Sequence, residues 1–520
     1  MVEVSKAVNS TEKLEDNFLE VDRLVTKFFT SKGIVNAIDG VSFKIRRGEI
    51  YGLVGESGSG KSVTAASIMD IVQDPPGRII SGSIYVDGFN ILADLDKLAT
   101  IKIIKNRAII KRKKKAQKRH ESIMRNIRGG LVSIIFQEPG LSLNPVLSIG
   151  EQIIETVMQH SMIEMSESII SRYDLTEEIL DESIKKLFQI EDSSNLRSAV
   201  RFMCRKYGVA EISDKIFIAI SSKQNENTLK EEIFHLIKDE SNRIDITKVE
   251  TLHDYYKAQN ELWKLTTQLS WARQNSNFDE VDNLKDKIEE MKAFIRREFF
   301  FLPLKIRLSK SKYLKQYKDI ARDLALEMLE LVGIAEPERI IASYPHELSG
   351  GMQQRVMIAI ALSTNPKLLI ADEPTTALDV TTQAQILDLI KELKKFIGSS
   401  ILFITHDLAV IAEMCDRIGV MYAGNIVEES TVKEIFHNPK HPYTAGLLES
   451  IPKSFGENKK TRLETIPGNV PNLITPPGGC RFHPRCKFAM DVCSISKPKM
   501  VEIYEGHKVA CFLYSQESDN

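Results

Sequence analysis

The sequence predicts an α/β fold built around a phosphate-binding loop, and three observations support this prediction. Residues 49–69, EIYGLVGESGSGKSVTAASIM, have the pattern of an apolar strand, a glycine-rich turn and a helix. Residues 367–374, KLLIADEP, have the pattern of a second apolar strand that ends in carboxylates. With 42% hydrophobic and 27% charged residues, the 520-residue chain has the composition of a globular protein of roughly three domains.

Net charge and cysteine placement limit the classes of function. The formal net charge is −1, so the overall charge favours neither nucleic acid nor a membrane surface. The polar first residues and the lack of any apolar run of about 18 residues predict neither a signal peptide nor a membrane span. In the reducing cytosol that this implies, the cysteines clustered near the C-terminus are expected to bind a metal rather than to form disulfides.

The glycine-rich turn carries the full G-x-x-x-x-G-K-S pattern, with Gly55, Gly60, Lys61 and Ser62 at its defined positions. The glycines allow backbone N–H groups to surround phosphate oxygens, and the positive end of the following helix attracts the same anion. Lys61 supplies a positive charge to the outer phosphates, and the Ser62 hydroxyl can bind Mg2+. The alternative is a turn that binds nothing, and the strand–loop–helix context argues against it.

Two adjacent carboxylates, Asp372 and Glu373, end the second apolar strand. The carboxyl ends of parallel strands face the crevice where ligands bind. Asp372 is therefore placed to hold Mg2+, and Glu373 is a candidate base for the attacking water. A solvated turn is the alternative, but it does not explain why a buried apolar run ends in these two residues.

A second anion-binding helix N-terminus is predicted in residues 344–362, YPHELSGGMQQRVMIAIAL. Ser349, Gly350 and Gly351 come directly before a helical pattern. This motif carries no lysine, acid or nucleophile, so it cannot hydrolyse a nucleotide by itself. It makes sense if it closes on a nucleotide that another subunit holds.

With these motifs in order, the sequence resembles the ATP-binding cassette (ABC) ATPases. The Walker A loop is GESGSGKS, the Q-loop contains Gln137 in SIIFQEP, and the signature is LSGGMQQR. The Walker B strand is LLIADE, the D-loop TALD ends at Asp379, and the switch histidine is His406 in ILFITHD. The predicted fold is thus a P-loop ABC cassette with a helical subdomain. Six motifs in the right order are very specific.

The resemblance implies roles for each motif. It implies a head-to-tail dimer of cassettes that hydrolyses ATP with Mg2+, in which Glu373, His406 and Gln137 are catalytic and Ser62, Gln137 and Asp372 hold the metal. The expected ATP-binding residues are Phe28, Gly55, Ser57, Gly58, Gly60, Lys61, Ser62 and Val63. Ser349, Gly350, Gly351 and Gln353 are expected to bind ATP of the other subunit, next to Asp379 of the D-loop. Phe29 is the alternative to Phe28 for stacking on adenine.

The tail resembles the peptide-type importer branch, which comprises the oligopeptide, dipeptide and nickel transporter ATPases. It contains HNPKHPYTAGLLESIP, followed by Cys480, Cys486, Cys493 and Cys511 with spacing C-x5-C-x6-C-x17-C. Some family members carry a 4Fe-4S cluster there, and four thiolates are what such a cluster needs. Zn2+ on four cysteines is the nearest alternative, and free cysteines are the other. The neighbouring cations Arg481, Arg485 and Lys487 are expected to offset the thiolate charge.

The predicted domain organisation has two stretches that the family pattern lacks. The cassette spans 18–435 after an N-terminal extension at 1–17, and the C-terminal region spans 436–520. Residues 97–128 form a basic insertion, interpreted as a solvated helix face, with contact to anionic headgroups or RNA as the alternative. Residues 157–318 form a helical insertion, in which apolar residues at three-four spacing predict a short helical hairpin.

The resulting functional hypothesis is the ATP-hydrolysing subunit of an ABC importer of peptides or oligosaccharides. The expected partners are a second ABC ATPase subunit, identical or homologous, two transmembrane permease subunits and, indirectly, an extracytoplasmic substrate-binding protein. The expected location is the cytoplasmic face of the membrane. The alternatives are an SMC-like ATPase acting on nucleic acid, which also places helices between Q-loop and signature, and a soluble translation ATPase. The short hairpin and the tail disfavour the SMC-like ATPase, and the single cassette disfavours the translation ATPase.

Overall fold

The structure is a computed structural model that describes residues 17–514 with internal gaps. The gaps are 94, 105–106, 174–183, 191–195, 198, 201–202, 205–212, 222–230, 232, 236–245, 275–277, 301, 303–309, 377 and 451–465. The predicted N-terminal extension therefore lies outside the described residues except for Asn17, where the first strand begins. The chain divides into a first unit, residues 1–142 with 365–520, and a second unit, residues 143–364.

The described part of the first unit contains three β-sheets. The strands are β1 (Asn17–Thr30), β2 (Gly33–Arg46), β3 (Ile50–Val54), β4 (Gly77–Val86), β5 (Phe89–Asn90), β6 (Ala99–Ile104), β7 (Arg107–Arg112), β8 (Val132–Ile135), β9 (Leu368–Asp372), β10 (Ser400–Thr405), β11 (Arg417–Tyr422), β12 (Asn425–Thr431), β13 (Val501–Tyr504) and β14 (His507–Val509). The largest sheet has the order β13-β14-β12-β11-β3-β10-β9-β8, the second has the order β2-β1-β4-β5, and β6 pairs with β7 alone.

The centre of the largest sheet is parallel and buried. β3, β9 and β10 have the apolar sequences IYGLV, LLIAD and SILFIT, and every residue in them is buried. Strands covered on both faces read as continuous apolar runs, which explains why these segments form the core. β10 pairs in parallel with both β3 and β9, so their carboxyl ends lie side by side. The α/β fold predicted from the sequence is confirmed.

The C-terminal strands extend this same sheet rather than forming a sheet of their own. β14 pairs antiparallel with β12, with Glu428 opposite Val509, and β13 pairs with β14. The C-terminal region is thereby continuous with the sheet that carries the phosphate loop. The helices of the first unit are Lys61–Ile68, Leu95–Leu98, Lys114–Ile127, Pro139–Ser142, Val380–Ile397, Leu408–Met414, Val432–His437, Pro442–Glu449 and Asp491–Ile495, with a 3-10 turn at His483–Arg485.

The basic insertion is half strand and half helix, so its interpretation as a helix face was wrong for its first part. β6 and β7 form an antiparallel hairpin, because the isoleucines in ATIKII and RAIIKR favour extended backbone. The helix Lys114–Ile127 follows, and it is held by His120, whose Nε2 lies 2.7 Å from Asp70 Oδ2. Lys114, Lys115 and Lys118 are exposed, as expected of a solvated face.

The second unit contains only helices in its described residues. They include Ile149–His160, Met162–Tyr173, Ser213–Ser221, Ile246–Gln274, Phe278–Phe299, Lys310–Leu331, Pro337–Ile340 and Gly350–Leu362, with a 3-10 turn at Pro345–Glu347. In Ile246–Gln274 and Phe278–Phe299, Leu269 packs in one apolar cluster with Val281, and the rings of Tyr255 and Phe299 are 5.6 Å apart. Contacts at both ends define an antiparallel hairpin. None of the helices in the described ranges is long and apolar enough to cross a bilayer.

Candidate nucleotide site

The phosphate loop, residues 55–62, needs glycine at two positions. A Cβ on Gly55 would lie 2.1 Å from the carbonyl oxygen of Met421, which is far inside van der Waals contact. Gly60 has a φ of 106°, a backbone conformation that side chains rarely adopt. The helix Lys61–Ile68 begins directly after it. The loop is therefore shaped by a close approach to β11 and a left-handed residue at the helix start.

Lys61 is buried and lies inside this loop. Its Nζ donates to the carbonyl oxygens of Gly55, at 2.8 Å, and Glu56, at 3.2 Å. Burial lowers the pKa of Lys61, while the charges of Glu373 and Asp372 oppose that effect. A buried ammonium needs compensating groups, and carbonyl oxygens satisfy it only in part. The site therefore holds a positive charge that a phosphate would neutralise.

Ser62 and Asp372 meet at the carboxyl ends of β3 and β9. Ser62 Oγ donates to Asp372 Oδ1 at 3.1 Å, and Asp372 is buried. Desolvation by burial raises the pKa of Asp372 to about 6, and the neighbouring Glu373 adds to the rise. A hydroxyl and a carboxylate are the hard oxygen ligands that Mg2+ prefers. A buried carboxyl with a raised pKa is what a cation would stabilise, so these residues fit Mg2+.

Glu373 brings three distant elements together. Its Oε1 lies 3.2 Å from His406 Nδ1, and its Oε2 accepts from Gln137 Nε2 at 3.0 Å. Glu373 also has a φ of 46°, in the left-handed region, which stores strain at functional sites. The three residues that the sequence predicts to be catalytic are thus in contact, with Gln137 and His406 on either oxygen of the Glu373 carboxylate.

Thr376 completes this group, and the sequence analysis missed it. Its Oγ1 donates to Glu373 Oε2 at 2.9 Å. The signal was present in the sequence, because a threonine three residues after an acid in a turn can reach back to it. With Gln137 and Thr376 on one oxygen and His406 at the other, the orientation of the carboxylate is defined.

The signature motif begins the helix Gly350–Leu362 of the second unit. Ser349 is its N-cap and accepts from the Met352 N–H at 3.4 Å. No described heavy atom lies within 4 Å of a Cβ placed on Gly350. Gln353 instead braces the preceding turn, because its Nε2 donates to the carbonyl oxygens of Pro345, at 2.7 Å, and Leu348, at 3.3 Å. The space beside Gly350 is therefore open at this helix N-terminus, and binding of an anion there stays a prediction.

Asp379 is a helix cap, and Phe28 lies against Gly77. Asp379 caps the helix Val380–Ile397 and accepts from the Thr382 N–H at 2.9 Å, which lowers its pKa. Phe28 is half-buried, and a Cβ on Gly77 would lie 2.7 Å from its ring. Phe29 is also half-buried. Contact of either ring with adenine stays a prediction.

The four C-terminal thiols lie near one another. Cys493 is buried and the other three are half-buried. Burial raises the pKa of Cys480, Cys486 and Cys511, to about 11 for Cys511, and the charges of neighbouring thiols add to each rise. Among the residues that the structure describes, no three His, Cys, Asp or Glu side chains converge tightly enough to hold a metal ion. Binding of a metal by these cysteines stays a prediction.

Two cations next to these thiols are paired with carboxylates elsewhere, which corrects their expected role. Arg481 Nη2 lies 3.0 Å from Asp39 Oδ2, and Arg485 forms two hydrogen bonds with Glu56. Glu56 belongs to the phosphate loop, so the second pair joins the cysteine-rich turn to the nucleotide site. The sequence analysis missed this link because it had no reason to connect residues 429 positions apart.

Buried polar contacts also explain the HPYT segment. Glu428, fully buried on β12, accepts from the backbone N–H of Lys440 and His441 and from His507 Nε2, all within 2.9 Å. His441 caps the helix Pro442–Glu449. Burial lowers the pKa of His441 to about 3, so its imidazole is neutral. Through Glu428, the segment is hydrogen-bonded to β12, and β12 to His507 of β14.

A glycine-rich phosphate loop, a buried aspartate at the end of the neighbouring parallel strand and a glutamate oriented by glutamine and histidine define a nucleoside triphosphate hydrolase of the P-loop class. Family comparisons agree. The ABC transporter family model matches residues 38–194 and 227–376, and the model for the oligopeptide/dipeptide transporter C-terminal region matches 427–493.

Full-length relatives support the same assignment. The chain is 36% identical to the oligopeptide transport ATP-binding protein AppD of Bacillus subtilis, over 96% of this chain and 97% of that one. It is 33% identical to the oligopeptide transport ATP-binding protein OppD of the same organism, over 95% and 88%. A dimeric post-hydrolysis structure of the cassette MJ0796 is similar at a TM-score of 0.40 and 17% identity, too low to add weight. The chain belongs to the ABC transporter family and is an ATP hydrolase.

Proposed function

We propose that this chain is the ATP-hydrolysing subunit of an importer of peptides. The observation that carries the proposal is similarity over nearly the whole chain to oligopeptide transport ATP-binding proteins, including the C-terminal region at residues 427–493. Oligosaccharide or nickel import is the alternative, because the permease and binding subunits select the substrate. An SMC-like ATPase is disfavoured, because the relatives that match the full length are transport proteins.

The geometry of the nucleotide site supports specific roles. Glu373 orients and deprotonates the attacking water, since its carboxylate is fixed by donors on one oxygen and faces His406 with the other. Lys61 and the amides of residues 55–62 hold the phosphates. Mg2+, when bound, would neutralise charge on the transferred phosphate, and Ser62 and Asp372 would hold it, with Gln137 beside them.

The open signature helix supports a dimeric mechanism. A helix N-terminus that begins at Ser349 with two glycines and no acid attracts phosphate but lacks a base. We therefore assign Ser349, Gly350 and Gly351 to the ATP of a second cassette, with Asp379 at the same interface. Two permease subunits and, through them, an extracytoplasmic binding protein complete the proposed complex, in which this chain lies on the cytoplasmic face of the membrane. The cassette boundaries 18–435 and the insertions 97–128 and 157–318 remain part of this proposal.

The four C-terminal thiols are proposed to hold one metal centre, a 4Fe-4S cluster in preference to Zn2+. Burial, and then the charges of the other three thiols, raise the pKa of Cys511, and the Phe488 N–H donates to Cys486 Sγ at 3.4 Å, as N–H groups do around cluster sulfurs. A single ion would need the four sulfurs drawn closely together, at about 2.3 Å from one metal, which the described residues do not show.

Iron, zinc and visible absorbance of anaerobically purified protein test this centre. A cluster predicts a broad visible band that Cys486→Ser abolishes and that the matched control Cys415→Ser, outside the group, retains. Colourless protein with one zinc per chain supports the alternative. Metal-free protein with a protease-resistant tail rejects both.

Co-purification and uptake test the function. A tagged chain, extracted from native membranes in mild detergent, should bring down a second ATPase and two membrane subunits. Cells that carry Glu373→Gln in place of the wild type should lose uptake of labelled short peptides. Normal peptide uptake together with loss of oligosaccharide uptake would reassign the substrate, and recovery of nucleic acid without membrane subunits would reject the transporter.

A further inference from the structure

Glu56 of the phosphate loop is held by the C-terminal region at both its backbone and its side chain. Its N–H donates to the Tyr443 hydroxyl at 2.9 Å. Its carboxylate accepts two hydrogen bonds from Arg485, from Nη1 at 2.8 Å and from Nη2 at 3.1 Å. The remaining Glu56 carbonyl accepts from Lys61 Nζ at 3.2 Å. The same carbonyl accepts from the Ser59 N–H at 3.1 Å. Every polar group of Glu56 is thus fixed, and two of its four partners, Tyr443 and Arg485, come from outside the loop and its helix.

Arg485 is itself unable to move. Its Nε donates to the Pro467 carbonyl at 2.8 Å, and its Nη1 also donates to the Tyr422 hydroxyl at 3.3 Å. Only 7% of its side chain is exposed. A guanidinium held by a carboxylate, a carbonyl and a phenol is fixed in plane and direction, which a flexible ammonium could not match. The position of Glu56 therefore follows the position of the turn His483–Arg485.

Tyr443 is held by rings. Its ring centroid lies 4.6 Å from that of Tyr422 and 5.4 Å from that of Phe482, and the side chain is fully buried. Tyr422 is the last residue of β11. Met421, the residue before it, has its carbonyl oxygen close to Gly55. The Tyr443 hydroxyl, which accepts the hydrogen bond from the Glu56 N–H, is therefore positioned by packing against β11.

We propose that the C-terminal region braces the phosphate loop and that Arg485 and Tyr443 are positioning residues for ATP binding. A loop that binds phosphate through several backbone amides loses affinity if it must be ordered when the ligand arrives. The brace orders it beforehand. This assigns to the region a role in the nucleotide site, beyond hydrolysis and transport as proposed above.

Equilibrium binding of Mg2+ and fluorescent MANT-ATP to the full chain tests the brace. Arg485→Lys keeps the charge but loses the bidentate hydrogen bond to the Glu56 carboxylate, so we expect the variant to bind nucleotide about tenfold more weakly. Tyr443→Phe removes one hydroxyl, and we expect binding weaker by about threefold to tenfold. In both variants KM for ATP should rise while kcat changes little, because neither residue contacts Glu373. In a Glu56→Gln background, Arg485→Lys should have a much smaller further effect.

Arg481→Lys is the matched control. Arg481 lies four residues away, is buried to a similar degree, and pairs with Asp39 of β2 instead of Glu56. Its replacement loosens the same region, yet nucleotide affinity should stay within about twofold of the wild type.

Three outcomes would overturn the proposal. The first is wild-type nucleotide affinity in both Arg485→Lys and Tyr443→Phe. The second is equal weakening by Arg481→Lys and Arg485→Lys, which would show general loosening. The third applies if Arg485→Lys does not fold, as judged by circular dichroism, because an unchanged affinity in Tyr443→Phe is then decisive. Loss of peptide uptake has no bearing on any of these binding measurements, so the transport proposal can fail separately.

Discussion

His406 Nδ1 lies 3.2 Å from Glu373 Oε1 because β10 and β9 are parallel neighbours. Ile404 pairs with Asp372, so the residues that follow the two strands emerge at the same edge. The His406 side chain is 63% exposed and that of Glu373 only 12%. The imidazole is therefore more accessible to solvent than the Glu373 carboxylate that it contacts.

Glu373→Gln should bind Mg2+ and ATP normally and hydrolyse ATP roughly 10²-fold to 10³-fold more slowly. The amide keeps the shape of the side chain and an oxygen for Gln137 and Thr376, but it cannot take a proton. Single-turnover hydrolysis and MANT-ATP binding measure the two effects. The control is Glu413→Gln, an exposed glutamate paired with Lys391. Hydrolysis at the wild-type rate would remove Glu373 from its role.

Lys61→Ala should weaken ATP binding by more than about tenfold, since it removes a buried positive charge from the phosphate loop. Glu373→Gln is the useful comparison, because it changes a charge in the same site without affecting phosphate binding. Isothermal titration with ATP distinguishes the two. Similar dissociation constants for Lys61→Ala and the wild type would contradict the assignment.

Mg2+-dependent ATP binding should weaken as the pH falls through about 6. The pKa of Asp372 is raised from 3.8 to about 6 by burial, so below this range its carboxyl is protonated and binds a cation poorly. Titrations with MANT-ATP between about pH 5 and about pH 8 measure this. Asp372→Asn should bind weakly at every pH, with the slope removed. An unchanged slope in that variant would assign the proton to another group.

The same shift has a consequence for folding without Mg2+. A carboxyl with a raised folded-state pKa favours its protonated form, so its stabilising contribution is complete below about pH 4 and is lost as the pH rises through about 6. In EDTA, the thermal midpoint of the wild type should therefore fall over this range relative to that of Asp372→Asn. Parallel curves for the two proteins would reject the shift.

Glu428→Ala should release the C-terminal strands. The change leaves two buried donors, on His441 and His507, without their acceptor, at a cost of about 1–3 kcal/mol each, and it also removes the acceptor of the half-buried Lys440 N–H. Hydrogen exchange at β13 and β14 should speed up markedly. The control Glu505→Ala lies in the exposed turn between these strands and should leave exchange unchanged. Equal protection in the two variants would show that Glu428 is dispensable.

The sequence by itself determined the parts of the site that short segments encode. The glycines of residues 55–62, the apolar strand that ends in Asp372 and Glu373, and the helix that begins after Ser349 are local patterns, because strand, turn and helix chemistry acts within a few residues. The α/β fold followed from them. The order of motifs then indicated the ABC family, which the comparisons show.

Tertiary structure alone decided which residues meet. Gln137 and Glu373 are 236 positions apart, and only the pairing of β8 with β9 brings them into contact. Arg485 and Glu56 are 429 positions apart. Nothing in the periodicity of either segment specifies such a pair, because hydrogen bonding and burial at long sequence separation depend on the packing of the whole sheet. The sequence therefore suggested thiolates as partners for Arg485, whereas the fold pairs it with the phosphate loop.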